Sequence, residues 1–380
     1  MRPSRLLQPA AALCVALVLA ACSGTPRPKP APLEPLTPQI SGRLAWTQRI
    51  DSVQYPLLVA VNETPSSGAI FTVAGTDGTV VALQADSGQE IWRGSAGAKL
   101  SAGVGSDGRF AAVVTRDNEL VVFEAGRTAW RARLGGRVAT APLVAGERVF
   151  VMGVDRAVHA FDVLDGRKIW TFSRPGEPLT LAKAGVLAAY QDTLLAGQGA
   201  RLVGIDPTRG TLRWEVAVAA PRGTNEVERL ADLLAPAVRI GPQTFCARAF
   251  QNAVGCVGAD RGTLIWTRNV GGTEGLGGDA ELVVGADGTD RVTAWRATSG
   301  DVVWTYDKLL YRDLSAPLLA GRTVVFGDGQ GNVHLLARED GHPLLRLSTD
   351  GSAIAAPPVL AGKTLLIVTR NGGLFAFRPE

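Results

Sequence analysis

The chain has 380 residues, of which 46% are hydrophobic and 19% are charged. This composition can bury a sizeable core, which argues against a disordered chain. Its 45 glycines suit many short strands joined by tight turns, whereas three histidines are a poor supply of metal ligands and acid–base groups. The formal net charge of +4 is not gathered into any basic run, so nucleic acid is not an expected partner.

The N-terminus has the pattern of an export signal. Two early arginines precede an apolar run at 10–21 that is too short to span a bilayer as a mature helix. The run ends in Leu19-Ala-Ala-Cys22, which resembles a bacterial lipobox and predicts a signal peptide over 1–21 and an acylated, palmitate-bearing Cys22. The alternative is an ordinary signal peptide with an incidental cysteine. Ser23 in place of Asp resembles the sorting pattern of outer-membrane lipoproteins, which implies a lipid-anchored body facing the periplasm.

A proline-rich segment follows at 25–38. Alternating prolines favour an extended polyproline conformation that rises roughly 3 Å per residue. Together with Cys22, the segment 22–38 is therefore predicted to be a semi-rigid tether of roughly 40 Å that lifts the folded body off the membrane. A proline-rich ligand for a partner protein is the alternative.

A repeat of about 40 residues occupies most of the chain. Each copy has an alternating apolar strand, a polar turn that contains Gly, and a strand that carries Trp, as in 80–92. A seventh copy keeps the turn but has Leu345 at the Trp position. The repeat tryptophans, expected to lodge between neighbouring blades rather than to stack on a ligand, are Trp46, Trp92, Trp130, Trp170, Trp214, Trp266 and Trp304.

The two ends of the chain determine the number of repeats. The strand at 374–377 belongs to an eighth unit that lacks its Trp strand, while 40–46 is a Trp strand with nothing before it. Joining them predicts an all-β, eight-bladed β-propeller of four-stranded antiparallel blades over 39–380, with the last blade closed by the N-terminal strand. The inner strands of three blades are predicted at 139–144, 315–319 and 356–360.

The repeat resembles the quinoprotein type and is similar to the repeats of two families. One is the quinone-dependent alcohol dehydrogenases, which imply a pyrroloquinoline-quinone-type propeller oxidoreductase with bound calcium. This chain has neither their adjacent cysteine pair nor a calcium-loop spacing of carboxylates. His159, His334 and His342 have no ligand partner at a fixed spacing and are expected to be satisfied or solvated. No catalytic residue, metal or cofactor is therefore expected, and the oxidoreductase remains the alternative.

The other family is that of BamB, the propeller lipoprotein of the outer-membrane β-barrel assembly machinery. The segment 223–236 resembles this family's signature, which is matched at Glu226, Arg229, Leu230, Asp232 and Pro236, while Leu234 departs from it.

Two further stretches carry the same resemblance. At 177–183 Leu179 and Leu181 match, whereas Ala182 replaces an Arg for which Lys183 is a candidate substitute. The stretch 306–312 resembles a family loop that ends in Arg312. The resemblance implies that 177–183 and 223–236 meet a periplasmic POTRA domain of the central barrel-inserting subunit, and that the chain is a scaffold and not an enzyme.

The positions of these stretches point to the same surface. All three follow a Trp strand and precede the next inner strand, so they emerge on one face of the ring. Val227, Leu230 and Leu234 have helical spacing, which predicts a short amphipathic turn; the alternative is that they pack on the propeller rim. Exposed strand edges of the blades are a candidate site for unfolded outer-membrane proteins.

Two other signals remain. The stretch 244–256 reads as a hairpin turning near Gln251, which would place Cys246 opposite Cys256 for a disulfide. A one-residue change of register would instead leave two buried thiols. The glycine-rich 271–278 is not followed by a helical pattern, so a flexible loop is expected there rather than a phosphate-binding one.

Overall fold

The computed structural model describes residues 28–64, 68–174 and 179–380. These residues form eight four-stranded antiparallel sheets and contain no helix. The prediction of an all-β, eight-bladed propeller is therefore confirmed. Within the same residues, no helix of sufficient length and apolarity to cross a membrane is found. The predicted signal peptide and Cys22 lie outside the described residues.

Blades 1 to 7 each contain four consecutive strands, beginning with β2. In chain order the strands are β1 Arg43–Arg49, β2 Ala60–Thr64, β3 Gly68–Ala74, β4 Thr79–Gln84, β5 Glu90–Ser95, β6 Leu100–Ser106, β7 Phe110–Thr115, β8 Glu119–Glu124, β9 Arg127–Arg133, β10 Leu143–Ala145, β11 Arg148–Met152, β12 Val158–Asp162, β13 Lys168–Phe172, β14 Leu187–Tyr190, β15 Thr193–Gln198, β16 Arg201–Ile205, β17 Leu212–Ala217, β18 Leu233–Ile240, β19 Thr244–Ala249, β20 Ala253–Gly258, β21 Thr263–Arg268, β22 Gly277–Gly278, β23 Leu282–Ala286, β24 Val292–Arg296, β25 Val302–Tyr306, β26 Leu318–Ala320, β27 Thr323–Gly327, β28 Asn332–Ala337, β29 Pro343–Ser348, β30 Val359–Ala361, β31 Thr364–Val368 and β32 Gly373–Arg378.

The eighth blade is assembled from both ends of the chain, as predicted. Its strand order is β1-β32-β31-β30, with β1 as the outer strand. Trp46 of β1 lies opposite Ala376 of β32 in an antiparallel pair. This pairing closes the ring without a free sheet edge between its first and last blades.

The inner strands are shorter than predicted in three blades. They are β10, β26 and β30, and each contains three residues. A proline immediately precedes each of them: Pro142, Pro317 and Pro358. Because proline has no backbone N–H to donate, ladder pairing begins only at the residue that follows it.

Six of the repeat tryptophans place their rings over a glycine of the next blade. The indole N–H of Trp130 in blade 2 donates to the Val163 carbonyl of blade 3 at 2.7 Å. Its ring also covers Gly166, where a Cβ would lie 2.5 Å from the ring and where φ is +73°. The repeat glycine is therefore required both for its backbone conformation and for the space it leaves to the ring. The same ring contact joins Trp46 to Gly88, Trp170 to Gly210, Trp214 to Gly262, Trp266 to Gly300 and Trp304 to Gly341. Trp92 packs against the core that blades 1, 2 and 8 share.

Blade 7 has a different packing at this position. Leu345 pairs across the strands with Leu335. The tryptophans instead pair with smaller residues: Ala376, Ala82, Val122, Ala160, Gly204, Cys256 and Ala294. An apolar cavity between blades 7 and 8 is lined by Leu345, Leu335 and Phe377. Leucine thus fills the blade interface less completely than tryptophan does.

The glycine-rich segment is packed, so the prediction of a flexible loop is wrong. Gly277–Gly278 is β22, the inner strand of blade 6. A Cβ at Gly272 would lie 2.2 Å from the buried guanidinium of Arg248, which donates to the Val270 and Gly271 carbonyls at 3.2 and 2.9 Å. Burial lowers the pKa of Arg248 to about 10. The glycines therefore make room for a buried cation.

The described part of the proline-rich segment also differs from the expectation. Residues 28–42 lie against blades 6 and 7, and their backbone N–H groups donate to Leu310, in the connection between these blades, and to Leu344 of blade 7. A tether that stands clear of the propeller is therefore wrong for 28–38. The apolar Leu33 packs against the core of blades 6 and 7, which explains why the segment is held there.

Candidate functional site

One face of the ring carries all three stretches singled out by sequence. In every blade of antiparallel strands, the connection to the next blade leaves on the side opposite the turn before the outer strand. We call this side the connecting face, and it includes the connections 173–186, 218–232 and 307–317. Residues 175–178 of the first connection are not described. All eight predicted partner-binding residues lie in these connections.

The carboxylate of Asp232 joins two of the connections. Its Oδ1 accepts hydrogen bonds from Nε and Nη2 of Arg156 at 3.0 and 2.7 Å. Its Oδ2 accepts from the backbone N–H of Leu181 at 2.8 Å, and Arg156 also donates to the Leu179 carbonyl at 3.1 Å. Charge-assisted bonds of this kind are stronger than neutral ones. Asp232 and Arg156 therefore fix the backbone that presents the two leucines.

The predicted anchors lie around an open groove. Leu179, Arg229 and Leu230 are half-buried, whereas Glu226 is exposed, and all four line a groove of about 720 Å³. Leu181 is half-buried and lines the adjoining cavity that contains Asp232. The sequence prediction thus identified residues that the fold brings together from two separate connections.

The turn within the second connection is shorter than predicted. Residues 226–229 form one turn, in which the Arg229 N–H donates to the Asn225 carbonyl. Val227 is 71% exposed, so the turn presents an apolar side chain to solvent. Leu234, in contrast, is buried in β18, and its inclusion in the amphipathic turn is wrong. Strand β18 begins at Leu233, so Leu234 belongs to this strand and not to the turn.

Charged side chains rim the same groove. Glu215 at the end of blade 4 is paired with Arg174 and with Arg201, the latter at 2.6 Å. The hydrogen bond from Arg174 is the main cause that lowers the pKa of Glu215 below its usual range. The groove therefore has fixed, partly neutralised charges around its apolar residues, an arrangement typical of protein interfaces.

Lys183, the candidate substitute for the family arginine, does not contact Asp232. Its ammonium binds the Thr273 carbonyl and the Glu274 carboxylate, each at 2.6 Å. Both Lys183 and Glu274 line a cavity that also contains Tyr55 of blade 1 and Arg370 of blade 8. Because opposite blades contribute to it, this cavity is the mouth of the central channel. The cation beside Asp232 is Arg156, which sequence analysis did not identify.

Arg312 has a structural role, and its prediction as a partner contact is wrong. Its side chain is 3% exposed and pairs with the fully buried Asp328 at 2.8 Å. The third member of this cluster is His334, whose Nε2 lies 3.0 Å from the same carboxylate. Burial alone would raise the pKa of Asp328, but the hydrogen bonds from His334 and Arg312 lower it well below its usual range. The guanidinium is therefore occupied within the chain.

The two cysteines of blade 5 lie directly opposite each other. Cys246 of β19 pairs with Cys256 of β20, and the two form a disulfide with a Cα–Cα distance of 4.0 Å. Both residues are fully buried. The hairpin register is thus the one that the disulfide interpretation requires, with the turn at 250–252.

The surroundings of the three histidines do not form a metal site. His159 contacts the Thr171 hydroxyl, and His342 contacts Asp340 and Gln39. Among the described residues, no group of three or more His, Cys, Asp or Glu side chains could hold a metal ion.

Comparison with known proteins shows the family. The family profile described as outer membrane protein assembly factor BamB matches residues 76–306. A relative of that description from Burkholderia pseudomallei is 38% identical and covers 99% of both chains. Another from Bordetella pertussis is 36% identical and covers 100% of this chain and 99% of its own.

Solved structures are similar to the whole ring. BamB from Moraxella catarrhalis has a TM-score of 0.80 at 20% identity and covers 89% of this chain and 100% of its own. The quinohemoprotein alcohol dehydrogenase from Comamonas testosteroni has a TM-score of 0.66 at 14% identity, covering 89% of this chain and 76% of its own. At these identities the likenesses show the fold alone. The sequence relatives and the matched family profile show that the chain belongs to the BamB family of outer membrane protein assembly factors.

Proposed function

We propose that this chain is a non-enzymatic scaffold lipoprotein that aids the assembly and insertion of β-barrel proteins into the outer membrane. It binds the POTRA region of the central barrel-inserting subunit through the connecting face, at 179–183 and 223–232. Membership of the BamB family supports the assembly role. The observation that carries the binding site is the shared carboxylate of Asp232, which holds two connections in one fixed arrangement.

This arrangement has the physical properties of an interface. A fixed backbone lowers the ordering cost of association, because the loops do not have to be immobilised when the partner binds. Half-buried Leu179 and Leu181 supply apolar anchors, while exposed Glu226 and the arginines of the groove supply charge at the rim. Such a surface suits a folded partner domain better than a small substrate.

The test is affinity purification from detergent-solubilised outer membranes. We expect the wild-type chain to recover the central barrel-inserting subunit. The double variant Leu179→Asp, Leu181→Asp should lose most of this recovery, because two charges would enter the apolar centre of the interface. Near-ultraviolet circular dichroism checks that the propeller remains folded.

The control is Ile91→Asp, which introduces one aspartate in place of an aliphatic residue at a 40% exposed position on the outer strand of blade 1. It should recover the subunit as the wild type does. Equal recovery by the double variant and by this control would disprove the site. A wild-type chain that recovers no assembly subunit would disprove the function.

The proposal includes the lipid anchor. An acylated Cys22 places the body on the periplasmic side of the outer membrane, since several acyl chains hold a protein stably at about 0.8 kcal/mol per buried methylene. Labelled palmitate should be incorporated into the wild-type chain and not into Cys22→Ser. Label in both proteins, or in neither, would contradict the anchor.

A second candidate activity is the binding of unfolded outer-membrane proteins at blade edges. Two adjacent outer strands, β21 and β25, present exposed aliphatic side chains: Leu264 at 46%, Ile265 at 45%, Val302 at 59% and Val303 at 40%. Edge strands with β-branched residues and few charges readily pair with another extended chain. The outer strand of blade 7, in contrast, is contacted by the chain's own segment 28–42, whose Gln39 N–H donates to the Leu344 carbonyl.

Site-specific photocrosslinking tests this second activity. A photoreactive residue at Val302 should crosslink to unfolded barrel proteins during their export. The same residue at Thr128, on a blade 2 edge flanked by Arg127 and Arg131, is the control and should give little product. Equal yields at the two positions would disprove a specific client edge.

A further inference from the structure

The upstream end of segment 28–42 is held by a buried ion pair. The Ala31 N–H donates to the Leu310 carbonyl at 2.9 Å. In return, the Ala31 carbonyl accepts from Nη1 of Arg312 at 2.8 Å. Since Arg312 is itself fixed by buried Asp328, this contact ties the segment to the core of blade 7. Ala31 thus lies on the connecting face, beside the connection 307–317.

The middle of the segment follows a three-residue period. Leu33 and Leu36 are half-buried, whereas the prolines that precede them by one residue are exposed. Extended proline-rich chains have three residues per turn, so one row of side chains faces the propeller. Both Nη atoms of Arg346 donate to the Glu34 carbonyl at 3.2 Å. The segment is therefore bound through apolar and polar contacts together.

The downstream end is fixed on the opposite side of the ring. The Gln39 N–H donates to the Leu344 carbonyl at 2.9 Å, and its side-chain oxygen lies 3.1 Å from Nε2 of His342. His342 lies in the turn before β29, on the face opposite the connecting face. The segment thus crosses the full edge of blade 7 before it enters β1.

We propose that residues 28–42 are a fixed strap that places the connecting face next to the lipid surface at blades 6 and 7. The inference rests on the proposed acylation of Cys22. Only eight residues lie between Cys22 and Ala31, and the nine Cα–Cα steps that join them span at most about 30 Å when fully extended. The docked strap therefore holds the rim at 307–317 within about 30 Å of the membrane, on the same face as the proposed POTRA-binding site. Membrane attachment and partner binding then share one face.

Releasing the strap should raise the propeller away from the lipid. A free segment of 15 residues adds about 20 Å of root-mean-square length, and more if its prolines keep it extended. The test is neutron reflectometry of the lipidated full-length chain on supported bilayers of phosphatidylethanolamine and phosphatidylglycerol. The releasing variant is Leu33→Asp with Arg346→Ala. We expect its protein layer to extend about 20 Å or more beyond that of the wild type.

Hydrogen exchange verifies that the strap is docked and then released. The amides of Ala31 and Gln39 should be protected in the wild type and exposed in the releasing variant. The matched control is Arg322→Ala, a 90% exposed arginine in the same blade, which should change neither protection nor layer height. Unprotected amides in the wild type, or an unchanged height after release, would overturn the proposal.

The outcomes also separate this inference from the proposed function. A chain that carries no lipid would not attach to the bilayer, and this result would overturn the inference together with the anchor. Recovery of the barrel-inserting subunit is measured independently in detergent, where the distance to a membrane has no effect. A releasing variant that recovers the subunit normally but sits higher on the bilayer supports the strap as an orienting element.

Discussion

Arg156 and Asp232 are 76 residues apart in the sequence and form an ion pair of 2.7 Å, with both side chains only 15% exposed. Arg156 lies in the turn before β12 of blade 3, and Asp232 directly precedes blade 5. The carboxylate also accepts from the backbone of Leu181, at the entrance to blade 4. One side chain therefore links parts of three successive blades at the proposed interface. It acts by holding Arg156 and the Leu181 backbone in place rather than by presenting a free charge.

The first prediction concerns this positioning role. Asp232→Asn keeps the shape but removes the charge that Arg156 binds, so the loop at 179–181 should lose its fixed conformation. We expect affinity for the barrel-inserting subunit to fall about tenfold, or about 1.4 kcal/mol. The free energy of unfolding should change by only about 1 to 3 kcal/mol. Surface plasmon resonance with the isolated POTRA region measures the first effect, and urea denaturation the second.

Asp206→Asn is the matched control for this experiment. Asp206 is similarly shielded, pairs with Arg213 at 3.1 Å and accepts a backbone N–H, but it lies in the turn before β17 on the opposite face. Its substitution should leave the affinity unchanged. If both variants bind equally well, Asp232 has no part in the interface.

The repeat made most of the fold predictable. Alternating strands, turn glycines and outer-strand tryptophans recur along the chain, because each blade packs against its neighbour through similar contacts. Even the replacement of tryptophan by Leu345 is visible in the sequence. The residue opposite it, Leu335, is larger than the residues opposite the tryptophans. The shortened inner strands could also be predicted, since a proline precedes each of them.

The candidate site was only partly predictable, since a local pattern does not specify which distant groups will meet. Arg156 lies in a turn of another blade, and nothing near it in the sequence indicates a carboxylate 76 residues away. Arg312 resembles an exposed loop residue in the sequence, but its guanidinium is bound by Asp328 and by the Ala31 carbonyl of segment 28–42. Proline content correctly indicates an extended chain, but docking depends on the apolar surface that the folded ring offers.

The second prediction tests the tryptophan–glycine contact between blades. Gly166→Ala places a Cβ 2.5 Å from the Trp130 ring at a residue whose φ is +73°. We expect a loss of about 1 to 3 kcal/mol in the free energy of unfolding. Gly136→Ala is the control, because a Cβ there has no atom within 4 Å. Urea denaturation should find the control within about 0.5 kcal/mol of wild type; equal losses in the two variants would contradict the role of the contact.

The third prediction concerns the blade that lacks its tryptophan. Leu345→Trp alone should overpack against Leu335 and cost about 1 to 3 kcal/mol. Leu335→Ala alone should leave a cavity and cost about 2 to 3 kcal/mol. The double variant restores the large-to-small pairing of the other blades, so it should be at least about 1 kcal/mol more stable than the sum of the single effects. A double-mutant cycle in urea measures this coupling, and strict additivity would disprove the pairing rule.

The fourth prediction concerns the disulfide of blade 5. Cys246 and Cys256 close a short loop, and the loop-closure entropy corresponds to about 2 to 3 kcal/mol of stability. Dithiothreitol should therefore lower the denaturation midpoint of the wild-type protein. The variant Cys246→Ala, Cys256→Ala should be less stable and should not respond to the reductant. A wild-type midpoint that is the same with and without reductant would contradict a stabilising bond.

The fifth prediction is a pH dependence from buried His334. Burial lowers its pKa below the usual value near 6.5, although the hydrogen bond with Asp328 partly opposes this effect. The unfolded chain therefore binds a proton at a higher pH than the folded chain does. Stability from this group is complete above about pH 6.5 and falls as the pH decreases, by at most about 1.4 kcal/mol per pH unit.

His334→Gln should remove this slope, because the glutamine amide can still donate to Asp328 but does not titrate. Urea denaturation at pH 7 and pH 5.5 should show a smaller loss in the variant than in the wild type. His159, whose pKa burial also lowers, is present in both proteins and contributes equally. His342→Gln, on the surface, is the control and should retain the wild-type loss. Parallel losses in His334→Gln and the wild type would show that His334 does not cause the pH dependence.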